Sequence, residues 1–215
     1  YRRQRQMCIR DRKNPELDNK AIFKATDSFI ECMQRDKKDR VIVRRWTAEE
    51  DVKIGLIQCG YKLFNTGLDK YNSKDYDNAI EHYSKIFDII PLDTEKQLGK
   101  ITEDVILYEM FRCSKELGNT TQTKEYLNKL IILNFNHPSV YIEMSNIFKE
   151  EGKNDKALNF LNDARKKFPS DQGIINAEIN LYIKLGRTSE LIEKLTEAIA
   201  LDSKNDILFF NRGTI

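Results

Sequence analysis

Residues 76–93 read YDNAIEHYSKIFDIIPLD. In this stretch a small residue, an aromatic residue, an aliphatic residue and a proline follow one another at intervals of four, three and five positions: Ala79, Tyr83, Ile86 and Pro91. Intervals of three and four place side chains on one face of an α-helix, and a proline ends the helix that precedes it. The stretch therefore predicts a short helix that buries one face against a neighbouring helix.

The same spacing recurs along the chain in units of 34 residues, and from residue 104 onward each unit follows the last without a gap. Four complete units and one partial unit carry it: 60–93, 104–137, 138–171, 172–205 and 206–215. Gly118, Gly152 and Gly186 keep this period and fall between the two helices of a unit, where a left-handed backbone favours glycine. A fixed period of this kind predicts stacked helix pairs, in which each pair buries the apolar stripe of its neighbour.

These units resemble the tetratricopeptide repeat (TPR). The unit at 138–171 carries the resemblance most fully, through Tyr141, Met144, Ser145, Phe148, Ala157, Leu161, Ala164 and Pro169. The resemblance implies an all-α fold, a right-handed superhelical solenoid of antiparallel helix pairs. Because residues 206–215 begin a unit that is not completed and the unit before residue 60 is also incomplete, we expect an array truncated at both ends.

The register is interrupted once, by residues 94–103. This insertion is interpreted either as a functional connection on one face of the array or as a neutral loop. The array itself is placed at 47–215, and its first helix is expected to begin near Ala48 and to run as an unusually long helix to Tyr71.

The sequence upstream of the array has two parts. Residues 14–46 are interpreted as the remnant of an earlier helical repeat followed by a linker. Residues 1–13 begin with YRRQRQMCIRDR, which contains five arginines and resembles the translation of a sequencing-library adapter. The other interpretation of residues 1–13 is a disordered basic arm.

The composition argues against several functional classes. The chain has 36 basic and 34 acidic residues, a net charge of +2, so no overall field attracts nucleic acid or an anionic membrane. No stretch approaches the roughly 18 apolar residues of a membrane span. His82 and His137 lie outside any metal-ligand spacing and are expected at exposed or turn positions. We find no phosphate-binding glycine loop and no catalytic constellation, and therefore expect a non-enzyme without cofactor or metal.

The TPR resemblance also implies a binding surface, because the first helices of TPR units line a groove. The corresponding positions here carry aromatic, cationic and amide side chains: Tyr71, Tyr108, Arg112, Lys115, Asn146, Lys149, Asn176, Asn180 and Lys184. An asparagine amide is both donor and acceptor and suits the backbone of an extended peptide. Arg112 and Lys115 are expected to meet a carboxylate.

The predicted function is a scaffold that binds another protein or a peptide, with the oligomeric state left open. The alternative is a sensing or docking module of a larger bacterial signalling or transcription regulator. The order of features from residue 20 to 215, including YNSKDYDNA at 71–79 and LFFNRGT at 208–214, is similar to TPR proteins of the Gram-negative cell envelope. That resemblance implies a periplasmic location, and a cytoplasmic location is the alternative.

Overall fold

A computed structural model describes residues 20–33, 49–201 and 203–215 of the chain. Every regular element within these ranges is helical, which confirms the predicted all-α class. Residues 1–13 and most of 14–46 lie outside the described ranges. The described residues form one short 3₁₀ helix, Ile90–Leu92, and ten α-helices: α1 Ala21–Cys32, α2 Glu49–Asn72, α3 Tyr76–Ile86, α4 Glu103–Glu116, α5 Thr120–Ile132, α6 Pro138–Glu150, α7 Asn154–Lys167, α8 Gln172–Lys184, α9 Thr188–Leu201 and α10 Asp206–Thr214.

The turns within the helix pairs repeat one backbone geometry. Gly118, Gly152 and Gly186 have φ of 69°, 73° and 67°, which confirms the predicted left-handed glycines. After each glycine, the next N–H closes the helix by donating to a carbonyl five residues earlier: Asn119 to Ser114 at 3.0 Å, Lys153 to Phe148 at 2.8 Å and Arg187 to Tyr182 at 3.0 Å. This is the Schellman arrangement, which satisfies carbonyls that the helix end leaves free.

Lys74 occupies the same turn position between α2 and α3, with φ of 63°, and the Asp75 N–H donates to the Lys70 carbonyl at 2.9 Å. A side chain costs about 1–2 kcal/mol in this left-handed region, and part of that cost is recovered by its lower entropy in the unfolded chain. We therefore expect Lys74→Gly to raise the free energy of unfolding by about 0.5–1 kcal/mol, measured by urea denaturation.

Two companion variants check the reason for this gain. Gly118→Ala is expected to lower the free energy of unfolding by about 1 kcal/mol, because it places a Cβ in the left-handed region. Lys62→Gly, on the exposed face of α2, is expected to destabilise by about 1 kcal/mol, as glycine does inside a helix. A Lys74→Gly variant that loses stability as Lys62→Gly does would contradict the account.

The described chain divides into two compact bodies, one ending at Lys129 and the other beginning at Leu130. In the first body, α2 packs against α1 and α3, and α3 packs against α4. Ala79, Tyr83 and Ile86, the residues that first indicated a helix face, are all fully buried. The Tyr83 ring lies so close to Gly67 that a Cβ there would come within 2.5 Å of it, so only glycine fits at that point of α2.

The long first helix predicted for the array is confirmed, since α2 has 24 residues and ends at Asn72. The insertion that follows the 3₁₀ turn lies against this helix. Leu98 is 3% exposed, and a Cβ at Gly60 would lie 2.6 Å from its Cδ2 atom. The Tyr61 hydroxyl donates to the Gln97 carbonyl at 2.9 Å, which fixes the insertion to the side of α2.

In the second body, α6, α8 and α10 begin at residues 138, 172 and 206, at intervals of 34. One core cluster is built from residues of α7, α8, α9 and α10: Ala157, Leu158, Leu161, Ile175, Ile179, Leu181, Tyr182, Leu191, Leu195, Ile199 and Leu208. First helices also meet each other directly, because a Cβ at Gly173 of α8 would lie 2.9 Å from Cδ1 of Ile142 on α6. The period seen in the sequence is therefore the period of the packing.

The expected position of His82 is wrong. Its side chain is buried, its ring meets the ring of Phe23 edge-on at 4.7 Å, and its Nδ1 atom lies 2.7 Å from the Asn78 carbonyl oxygen. The cause is α1, which carries Phe23 and covers this part of α3. His137 is exposed in a turn, as expected, and its ring nitrogen accepts from the Ser139 N–H at 3.3 Å.

None of the helices that the structure describes is both long enough and apolar enough to cross a membrane.

Candidate binding face of the first helices

The structure brings together Tyr71 and Arg112, two of the predicted groove residues. Tyr71 lies in the last turn of α2, and the Arg112 guanidinium carbon on α4 is 4.2 Å from the centre of its ring. This distance is typical of a cation–π contact. Arg112 Nη1 also donates to Glu109 Oε2 at 2.7 Å, so the guanidinium is held by a ring on one side and a carboxylate on another.

Glu109 is a member of this cluster that the sequence prediction omitted. It stands three residues before Arg112, a spacing at which oppositely charged helix residues pair, and this was the available signal. Its side chain is 12% exposed, whereas that of Arg112 is 36% exposed. Burial raises the pKa of Glu109, and the Arg112 guanidinium opposes that shift. Glu109 is therefore largely buried beneath the surface of α4, and the Arg112 guanidinium lies nearer to solvent.

Two buried groups lie behind this pair. Burial, with nearby Glu109 as the next cause, raises the pKa of the Cys113 thiol to about 12. Burial also raises the pKa of Tyr83, with Glu109 as the next cause. The Tyr83 hydroxyl is buried without a hydrogen-bond partner among the residues that the structure describes. Both groups therefore stay protonated and neutral around neutral pH.

Tyr108 and Lys115 complete the predicted residues of the first body. The Tyr108 ring is half-buried and packs on the Phe111 ring of its own helix at 5.6 Å. Lys115 is exposed in the last turn of α4, three residues after Arg112. Both side chains are thus on the helix that carries Arg112 and Glu109.

The other predicted residues lie in the second body, on α6 and α8: Asn146, Lys149, Asn176, Asn180 and Lys184. On α6, the Lys149 Nζ donates to Asn146 Oδ1 at 3.0 Å. On α8, the remaining three side chains are exposed at intervals of four residues and make no hydrogen bond or ion pair with other described residues. A stripe of open amide and ammonium groups therefore runs along α8.

A buried ion pair in the second body also escaped the sequence prediction. Arg165 Nη1 of α7 donates to Glu178 Oε2 of α8 at 2.5 Å, and the two side chains are 12% and 0% exposed. Glu178 lies on the apolar side of α8, between the core residues Ile175 and Tyr182. A single glutamate within an otherwise apolar stripe was the signal, and a cationic partner on the preceding helix is its explanation.

Within residues 20–33, 49–201 and 203–215, no group of three or more histidine, cysteine, aspartate or glutamate side chains is arranged to hold a metal ion.

Comparison with solved structures places this helix-pair geometry among known folds. Two crystal structures of MamA match the chain with a TM-score of 0.50 and 17% identity each. One match covers 72% of this chain and 91% of MamA, and the other covers 84% and 93%. Together with the 34-residue spacing of the helices and the repeated turn, this likeness decides the fold. The chain has a tetratricopeptide-repeat fold.

Other comparisons give weaker matches. YrrB, described as a TPR protein with an unusual peptide-binding site, matches 76% of this chain and 81% of its own with a TM-score of 0.49 and 13% identity. No family model matches the chain. A pentatricopeptide repeat-containing protein of Arabidopsis thaliana is 25% identical over 113 residues, which is 49% of this chain. The chain spans about a fifth of the length of that relative (20%).

Proposed function

We propose that the chain is a non-catalytic scaffold that binds a peptide or an extended protein segment along the first helices of its TPR units. The observation that carries this proposal is the open stripe of Asn176, Asn180 and Lys184 on α8. Three exposed polar side chains in line, unpaired within the described chain, are available to a partner. Asn146 and Lys149 on α6, which packs against α8, extend this surface.

The spacing of the amides suits an extended peptide. Residues four apart on a helix are separated by about 6 Å along its axis. An extended strand repeats every two residues, about 6.6–6.8 Å. Asn176 and Asn180 can therefore contact alternate peptide units, and each amide offers a donor and an acceptor to the backbone. Recognition of this kind depends first on the peptide main chain, and the lysines add a preference for acidic side chains on the peptide.

The test begins with peptides selected on the wild-type chain from a random display library, because the partner is not known in advance. Their affinity is then measured by fluorescence polarisation for Asn176→Ala/Asn180→Ala. Each lost hydrogen bond contributes about 0.5–1.5 kcal/mol, so the double variant is expected to bind about tenfold more weakly or worse.

Asn159→Ala provides the matched control, because Asn159 is an exposed asparagine on the second helix α7. Its affinity for the selected peptides is expected to equal that of the wild type. Selected peptides that bind the double variant and the wild type equally would remove α8 from the binding face. A library that yields no binding peptide would count against the proposed function itself.

A further inference from the structure

The charge of Arg112 is already compensated within the chain. Its guanidinium donates to the Glu109 carboxylate at 2.7 Å and lies over the Tyr71 ring at 4.2 Å. The Glu109 carboxylate is the more deeply buried of the two groups. Water therefore cannot replace the carboxylate beside Arg112 unless the Glu109 side chain first becomes exposed. A guanidinium has five N–H donors, and the Arg112 side chain, which is 36% exposed, donates to Glu109 through Nη1. Arg112 is thus a source of hydrogen-bond donors with little net charge.

The C-terminal half of α4, from Glu109 to Glu116, has no net charge. Its last two turns carry two acids and two bases: Glu109, Arg112, Lys115 and Glu116. A carboxylate that approached Arg112 from a partner would also approach Glu109, and like charges brought together at an interface oppose binding. An uncharged acceptor, such as a peptide carbonyl, meets no such opposition.

We propose that Glu109 sets the charge preference of the surface formed by α2 and α4 in the first body, so that Arg112 donates to uncharged peptide carbonyls and disfavours acidic side chains. The inference rests on the proposed peptide-binding function and narrows its partner class. It also replaces the expectation that Arg112 meets a carboxylate. Glu109 acts here as a positioning residue, because it orients and neutralises Arg112 and is itself mostly buried.

The experiment uses two fluorescently labelled probes, hexaglutamate and hexaglutamine, with the full chain at pH 8 and low ionic strength. Glu109→Gln keeps the shape of the side chain and a hydrogen-bond acceptor but removes the charge. This variant is expected to bind hexaglutamate about three- to fivefold more tightly than the wild type, the scale of one partly exposed charge interaction. Its affinity for hexaglutamine is expected to stay unchanged, and the gain is expected to shrink as salt is added.

Two controls separate this role from a change in net charge or a loss of folding. Glu116→Gln removes one negative charge from the same helix and is expected to leave the ratio of the two affinities near that of the wild type. Glu109→Gln/Arg112→Ala is expected to lose the gain. Circular dichroism melting establishes that each variant is folded, and Glu109→Met replaces Glu109→Gln if the latter is not.

The proposal is overturned if Glu109→Gln and the wild type have equal affinity for hexaglutamate, whether both bind or neither does. It is also overturned if Glu116→Gln produces the same gain, or if the gain survives the loss of Arg112. These results concern α4 and defined probes, whereas the proposed function is tested with selected peptides on α8. Failure of one experiment therefore leaves the other result standing.

Discussion

Replacing Glu178 by alanine is expected to lower the free energy of unfolding by about 3–5 kcal/mol. The Glu178 side chain is 0% exposed and Arg165 is its partner at 2.5 Å. Removing the carboxylate leaves the Arg165 guanidinium, itself only 12% exposed, buried between α7 and α8 without a counter-charge. Urea denaturation followed by circular dichroism measures the loss, and a helical repeat array loses this stability mainly in the units that share the pair.

The double variant Arg165→Met/Glu178→Leu distinguishes a buried charge from a loss of packing. Both new side chains are apolar and of similar volume, and exchanges of this kind are often neutral or stabilising. We therefore expect the double variant to lie within about 1 kcal/mol of the wild type or above it. A Glu178→Ala variant that loses less than about 1 kcal/mol would show that the charge pair is not buried as described.

Replacing Tyr83 by alanine is expected to destabilise the first body by about 3–5 kcal/mol, the usual cost of truncating a buried aromatic residue. Its ring is fully buried, lies against Gly67 and packs on the Phe64 ring at 5.7 Å. The glycine leaves a space on α2 that only a ring from α3 fills, so neighbouring side chains cannot close the cavity without a backbone shift.

Tyr83→Phe is the matched variant. Removing the hydroxyl of a hydrogen-bonded buried tyrosine lowers the free energy of unfolding, but no such loss is expected here. The Tyr83 hydroxyl makes no hydrogen bond to any residue in the described ranges. Deleting it therefore removes a desolvated polar group without breaking a bond. We expect Tyr83→Phe to be neutral or up to about 1 kcal/mol more stable in denaturation experiments. A loss of 1 kcal/mol or more would show that the hydroxyl has a partner in solution.

Much of the fold was predictable because stacking repeats the same demands every 34 residues. The turn within a helix pair requires φ near +70° and has glycine at three of its four described positions, and Lys74 fills the fourth. Close contact between helices selects small residues beside large ones, as at Ala79 and Tyr83. These requirements act on single positions at fixed intervals, so one sequence is enough to reveal them.

The missed features depend on contacts that the 34-residue period does not encode. His82 is buried because Phe23 of α1 reaches it, and a pattern within α3 alone contains no sign of that neighbour. The Arg112 guanidinium lies over the Tyr71 ring, and its charge is compensated by a glutamate on its own helix. Whether such a pair forms depends on the side-chain rotamers and on how far neighbouring helices bury the two residues. The charge compensation at Arg112 therefore needed coordinates, and the binding face itself stays a prediction.

The most direct test of the account is a nuclear magnetic resonance titration of the chain with a peptide selected on the wild type. The side-chain amide signals of Asn176 and Asn180 report on the first helix α8, and that of Asn159 reports on the second helix α7. Binding along the first helices predicts that the Asn176 and Asn180 signals shift with peptide concentration while the Asn159 signal stays in place. Shifts at Asn159 with none at Asn176 or Asn180 would contradict the central claim.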